Sequence, residues 1–164
     1  MLTPTLLEAL NDQIQKEFSS GYVYLAVAAH FESTGLPGFA HWMRVQSQEE
    51  FGHGLKLFDY VLDRGARVTL KAIDAPPTDL GQPVVVMTMT LAHERRVTDS
   101  IHALHQLAAR EVDLPTQVAL QWFINEQVEE EKSAALIVDQ LKLIGSDGSG
   151  LLALDRQLAA RGAG

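Results

Sequence analysis

The chain has 164 residues, 46% of them hydrophobic, no cysteine and a formal net charge of −8. That length supports a core without staples, and the lack of cysteine excludes a disulfide framework, a thiolate metal site and a thiol nucleophile. The acidic balance argues against a general nucleic-acid binder, no stretch approaches the roughly eighteen uninterrupted apolar residues of a membrane span, and MLTPTLLEALNDQ lacks the regions of a secretory leader, so a cytoplasmic protein is expected.

The first predicted helix runs from about Pro4, a proline tolerated in a first turn, to about Ser33. Its inner stripe is Leu10, Ile14, Glu17, Gly21, Tyr24, Ala28 and Phe31. STGLPG ends it, and a second helix follows from about Phe39 to Arg64. The seam of that helix reads Phe39, Met43, Glu50, His53, Leu57 and Val61, so a carboxylate and an imidazole interrupt an apolar stripe. Residues 65–82 contain Pro76-Pro77 and no helical period, which makes them a long connection. The third helix spans about Pro83 to Arg110, with Met87, Leu91, Glu94, Ile101, Leu104 and Ala108 inward. The fourth spans about 115–144, with Leu120, Ile124, Gln127, Ala134 and Leu141 on its seam. After the flexible corner GSDGSG, residues of about 150–161 form a short helix with Leu151, Leu154 and Leu158 on one side.

Short turns make helices one and two, and three and four, antiparallel pairs. The connection between the pairs has roughly 18 residues and at about 3.3 Å each reaches nearly 60 Å. A helix of about 26 residues is only about 39 Å long. The connection can therefore travel the whole bundle and leave helices two and three parallel. The expected fold is all-α: one domain over 1–164, a four-helix bundle with one long crossover over about 4–144, and a short fifth helix.

The two hairpins repeat one polar pattern. Residues 17 and 94, 50 and 127, and 53 and 130 are each separated by 77 positions, and the same shift carries Glu49 onto Glu126. Counted from each turn at 1.5 Å per residue, these positions lie at nearly one level, around 25 Å along the helices. Positions three apart share a helix face, so Glu50 with His53, and Gln127 with Glu130, point the same way. Six polar side chains thus converge midway down the bundle. Crowded buried carboxylates repel, and no interior Lys or Arg is expected at this level, since Lys16 and Arg95 adjoin seam residues and point elsewhere. Two divalent cations would neutralise the cluster. Oxygen-rich ligands with one imidazole suit iron or manganese rather than structural zinc, and Glu on two helices with Glu-x-x-His on another is the di-metal carboxylate pattern. Gln127-x-x-Glu130 replaces a second Glu-x-x-His, so one metal position has imidazole and the other only oxygens.

KEF at 16–18 with Tyr24, QEEFGH at 48–53, HE at 93–94 and QWFINEQVEEEK at 121–132 resemble the ferritins, and specifically the bacterial non-haem type, across essentially the whole chain. By that resemblance Glu17, Glu50 and His53 hold a first iron. Glu50 bridges to a second, held with Glu94 and Glu130. Glu49, Glu126 and Glu129, with Glu130, supply a third, weaker site, and Gln127 orients a water or oxygen species. Tyr24, two turns beyond Glu17, reaches the centre with its hydroxyl, and Trp122 lies near that level. Bacterioferritins usually carry a histidine at the position of Glu130 and a haem-binding methionine at that of Phe51, so no haem is expected. The resemblance implies a ferroxidase that binds two Fe(II), oxidises them with O2 or H2O2 and deposits Fe(III) mineral inside a homo-oligomeric shell of 24 subunits. The short fifth helix would line a four-fold channel of that shell. His102 and His105, and likewise His30, His41 and His93, are read as partly exposed rather than metal-binding.

Overall fold

The computed structural model describes residues 1–162. It contains five helices: α1 (Pro4–Ser33), α2 (Pro37–Asp63), α3 (Pro83–Arg110), α4 (Leu114–Ile144) and α5 (Gly148–Leu158). The fold is all-α, a four-helix bundle with one long crossover and a short C-terminal helix, as the periodicity predicts. None of these helices is long and apolar enough to cross a membrane.

Caps explain where the helices begin. Thr3 accepts from the Leu6 N–H at 3.2 Å and Asp113 from the Thr116 N–H at 2.9 Å, each satisfying a donor that has no carbonyl one turn back. Asp147 caps α5 through the N–H groups of Ser149 and Gly150, so that helix begins two residues before the predicted start near 150. It also ends earlier than predicted. Beyond Leu158 the chain turns toward α2, where the Arg161 carbonyl accepts from the His41 ring at 2.7 Å.

α1 packs along α2, and α3 along α4. Direction follows from two separate apolar clusters. One joins Ala28 and Phe31 of α1, Phe39 and Met43 of α2, Met87 of α3 and Leu141 of α4. The other joins Leu10, Leu57, Leu104 and Leu120. The early part of α2 therefore lies level with the early part of α3, and the two run parallel. Residues 64–82 connect them along the outside of α1. Asn11 accepts from the Thr69 N–H at 3.0 Å, Gln15 donates to the Ala72 carbonyl at 3.1 Å, and His30 meets the Gly81 carbonyl at 2.9 Å.

Two glycines set close approaches. At Gly21 an added Cβ would sit 3.0 Å from Phe51 and 3.1 Å from the Ser47 carbonyl, and the Ser47 hydroxyl donates to the Gly21 carbonyl at 2.7 Å. This draws α1 and α2 together beside the polar layer. At Gly38 a Cβ would lie 1.7 Å from the Asp155 carbonyl oxygen, so only glycine lets α5 lie against the start of α2. Asp155 completes that joint by accepting from the Phe39 N–H at 2.9 Å. Along α4 the seam departs from expectation at one place. Phe123 is buried and Ile124 only half-buried, because the aromatic ring packs edge-on toward His53.

Candidate metal centre

Between the two apolar clusters the helices deliver six polar side chains. Glu17 comes from α1, Glu50 and His53 from α2, Glu94 from α3, and Gln127 and Glu130 from α4. None is more than 5% exposed. Possible ligand atoms gather in three sets, the members of each lying within 4.8 Å of one another: Glu17, Glu50 and His53; Glu50, Glu94 and Glu130; His53, Glu126 and Glu130. Glu50 is common to the first two. His53 Nδ1 lies 3.5 Å from Glu50 Oε2, so both atoms face one small space.

The charge in this layer has no cationic side chain beside it. No Lys or Arg is buried among the described residues. Lys16 turns outward to the Ser100 hydroxyl, and Arg95 to Glu131 at 3.7 Å. Burial therefore pushes the Glu17 and Glu50 carboxyls well above the usual carboxylate range. Glu50 raises Glu17 further, and Glu94 with Glu130 raises Glu50. Burial also raises Glu94, and with Glu94 alongside brings Glu130 up to about 7.

Neutral donors hold part of each carboxyl. Gln13 donates to Glu17 Oε1 at 2.7 Å, Gln46 to Glu50 Oε1 at 3.4 Å and to Glu130, Gln127 to Glu94 Oε2 at 3.2 Å, and the Tyr24 hydroxyl to Glu94 Oε1. Glu17 Oε2 and Glu50 Oε2 are buried and have no donor other than a proton the two carboxyls share. Buried acceptors without donors are rare in folded proteins. Here Glu50 Oε2 lies 3.5 Å from the His53 ring, and Glu17, Glu50 and His53 surround a space that a cation would fill. Two carboxylates with an imidazole at one position, and three carboxylates at the other, fit hard or borderline divalent ions such as Fe(II) or Mn(II).

The remaining predicted site residues divide. Tyr24 is fully enclosed, and burial together with Glu94 holds its phenol proton on far above the usual range. Gln127 also donates to the Glu94 carbonyl at 3.2 Å and to Thr98 at 3.3 Å, so it braces α3 against α4. Trp122 stands edge-on to His53 at 5.3 Å between ring centroids, with Lys56 Nζ 4.1 Å above its own ring. Glu126 joins the set with His53 and Glu130. Glu49 and Glu129 do not. Glu49 is ion-paired with Arg161, and Glu129 is exposed and 3.5 Å from Lys132.

Gln13 and Gln46 were not among the residues read from the sequence. Each stands four positions before a buried glutamate, one turn away on the same face. A search for a donor one turn from each inward carboxylate would have found both.

A ferritin-like domain model matches residues 7–144. The chain is similar to a bacterial non-heme ferritin of Bacteroides fragilis, with 42% identity over 98% of this chain and 100% of the relative. It is similar also to one of Staphylococcus aureus, with 36% identity over 98% and 97%. Among solved structures, an open pore ferritin from Archaeoglobus fulgidus superposes with a TM-score of 0.98 at 46% identity, covering 99% of this chain and all of that one. A humanized archaeal ferritin superposes with a TM-score of 0.99 at 44% identity, covering 100% and 99%.

Proposed function

Because the chain belongs to the ferritin family, whose members store iron, we propose that it is a ferroxidase that takes up Fe(II), oxidises it in the bundle and deposits Fe(III) as a mineral in a hollow homo-oligomer. The observation that carries this reading is the pair of ligand sets sharing Glu50, with two buried oxygens to which no other type of side chain donates. Iron is the substrate. The first Fe(II) takes Glu17, Glu50 and His53, the second takes Glu50, Glu94 and Glu130, and Gln127 stays a hydrogen-bond donor beside the second.

The residues divide the work. Carboxyls that hold protons while the site is empty release them as Fe(II) enters, because ligands must be deprotonated to bind. Two neighbouring Fe(II) ions then yield two electrons, one each. Dioxygen accepts them with two protons to give hydrogen peroxide, or hydrogen peroxide accepts them with two protons to give water. The chain supplies placement and charge stabilisation, and the enclosing apolar clusters keep the layer dry. Tyr24 orients Glu94 through its hydroxyl. Glu126, half-buried next to His53 and Glu130, offers the next oxygen on the way out. Glu49 and Glu129 would join a third site only by leaving Arg161 and Lys132.

Assembly is supported by apolar side chains left in solvent. Tyr22 and Leu25 on α1, Val85 and Met89 on α3, Leu143 on α4 and Leu152 on α5 are each at least 42% exposed. Apolar side chains left in solvent are available for subunit contacts. A shell of 24 subunits in the cytoplasm, its channels lined by α5, is the form that accommodates a mineral.

The experiment is aerobic addition of Fe(II) to the metal-free protein, followed by an iron count after gel filtration. Storage predicts rapid formation of Fe(III) absorbance and retention of far more than two irons per chain. Rapid oxidation with only about two irons retained would leave a di-metal oxidase or peroxidase that stores nothing. No oxidation above the protein-free rate would overturn the reading.

A further inference from the structure

The segment that follows α5 returns to the bundle and makes an unusual set of contacts. The Arg161 guanidinium lies with its carbon 4.4 Å from the Trp42 ring centre. Nη1 donates to Gln46 Oε1 at 2.9 Å and to the Trp42 carbonyl at 3.5 Å, and Nη2 donates to the Glu49 carboxylate. The arginine carbonyl accepts from His41. Gln46, 1% exposed, links this set to the carboxylate layer. Its Nε2 donates to Glu50 Oε1 and Glu130 Oε2.

A primary amide is nearly symmetric in shape but not in polarity. Its oxygen accepts and its nitrogen donates, and only its partners decide which end points where. A guanidinium has no acceptor, so whichever end of Gln46 faces Arg161 must be oxygen. The nitrogen is thereby turned toward the two glutamates. With the amide reversed, an oxygen would face two carboxyls and add repulsion where charge is already crowded.

We propose that Arg161 is a positioning residue for the metal centre: by fixing the polarity of the Gln46 amide it sets which oxygens of Glu50 and Glu130 face the second cation position. The inference rests on reading the carboxylate layer as an Fe(II) site. Neither Gln46 nor Arg161 touches a cation in this account. Arg161 acts through Gln46, and Gln46 acts on the carboxyls.

The test uses Co(II), which accepts similar oxygen and nitrogen donors and has a visible spectrum. Metal-free, full-length protein is titrated, and the step that Glu94→Ala abolishes is assigned to the second position. Loss of a hydrogen bond that supports a ligand weakens metal binding by roughly ten- to a hundredfold. Arg161→Ala is expected to weaken that step about tenfold and to shift its absorption band, with a smaller effect on the other step, which shares only Glu50 with the Gln46 contacts. Arg161→Lys retains a donor for Gln46 and restores most of the affinity. In a Gln46→Ala background Arg161→Ala adds nothing, because the two residues act in series. An unchanged second step in Arg161→Ala, or an equal further loss in the Gln46→Ala background, would overturn the inference while leaving the metal centre intact. Failure of the unaltered protein to bind Co(II) would overturn the centre and this inference with it.

Discussion

Each glutamate in the layer is a weak point of the fold and a strong point of the site. Glu50 shows both sides. It is fully buried, raised in pKa by burial and by Glu94 and Glu130, and has one oxygen to which no other type of side chain donates. Glu50→Ala removes the member common to both ligand sets and is expected to slow initial Fe(II) oxidation at least about tenfold, measured by stopped-flow absorbance. A rate equal to that of the unaltered protein would remove the intrachain site. Glu50→Gln keeps the shape and stays neutral without taking up a proton on folding, so the metal-free protein should gain about 1–2 kcal/mol in denaturant unfolding at neutral pH while losing metal affinity. The pH dependence follows the same logic. Glu17, Glu50, Glu94 and Glu130 have raised pKa values when folded. The folded metal-free chain therefore binds more protons than the unfolded chain above the ordinary carboxyl pKa of about 4.3. This contribution to stability is fully present near pH 4 and is lost as pH rises through the folded values, including that of Glu130 near 7. Metal-free protein should thus melt at a higher temperature at pH 5.5 than at pH 8, and Glu17→Gln with Glu50→Gln should flatten the difference. Calorimetry at the two pH values checks this, and a higher melting temperature at pH 8 would contradict it.

Among the elements, the joints between helices carry the register that makes the layer possible. At one end Arg64 grips Asp113 through two contacts of 2.8 Å, tying the end of α2 to the cap of α4. Arg64 holds the Asp113 carboxyl well below the usual range. Asp113→Ala removes a helix cap and a charge-assisted pair and should cost about 2 kcal/mol, read as a shift in urea midpoint. The depressed pKa makes the wild-type contribution present above about pH 4 and lost as pH falls through the folded value. At the other end Gly38→Ala would drive a methyl group into Asp155. Undocking α5 should cost about 2–3 kcal/mol, and hydrogen exchange should localise the loosening to residues of α5 and the start of α2. Protection there equal to the unaltered protein would show that the clash is absorbed elsewhere. Much of this level was legible in the chain itself. The apolar stripes repeat at helical spacing, prolines mark four helix starts, and the shift of 77 residues places matched polar groups in both hairpins. What escaped such reading has physical causes. Gln13 and Gln46 look like ordinary helix-formers, because their importance lies in the buried carboxyl one turn away. Arg161 lies 115 residues from Gln46, a contact created by the close approach at Gly38 and not by any local pattern. Phe123 replaces Ile124 in the core because a ring can reach His53 where a branched aliphatic chain one position on cannot.

At the scale of the whole molecule, the bundle is two apolar clusters separated by an acidic storey, which protons neutralise when it is empty and two cations would neutralise when it is filled. The crossover lashed to α1 keeps α2 and α3 parallel, which brings a glutamate from each of the four helices to one height. The proposed shell would cover exposed apolar positions on α1, α3, α4 and α5, and light scattering should give a particle many times the mass of one chain. A monomer in dilute buffer would contradict the shell. The most direct test of the central claim is an iron-edge anomalous difference map from crystals soaked anaerobically in Fe(II). Two peaks are predicted inside each bundle, one among Glu17, Glu50 and His53 and the other among Glu50, Glu94 and Glu130, with Glu50 between them. A map without density between these side chains, at full iron exposure and with the helices unchanged, would contradict the account.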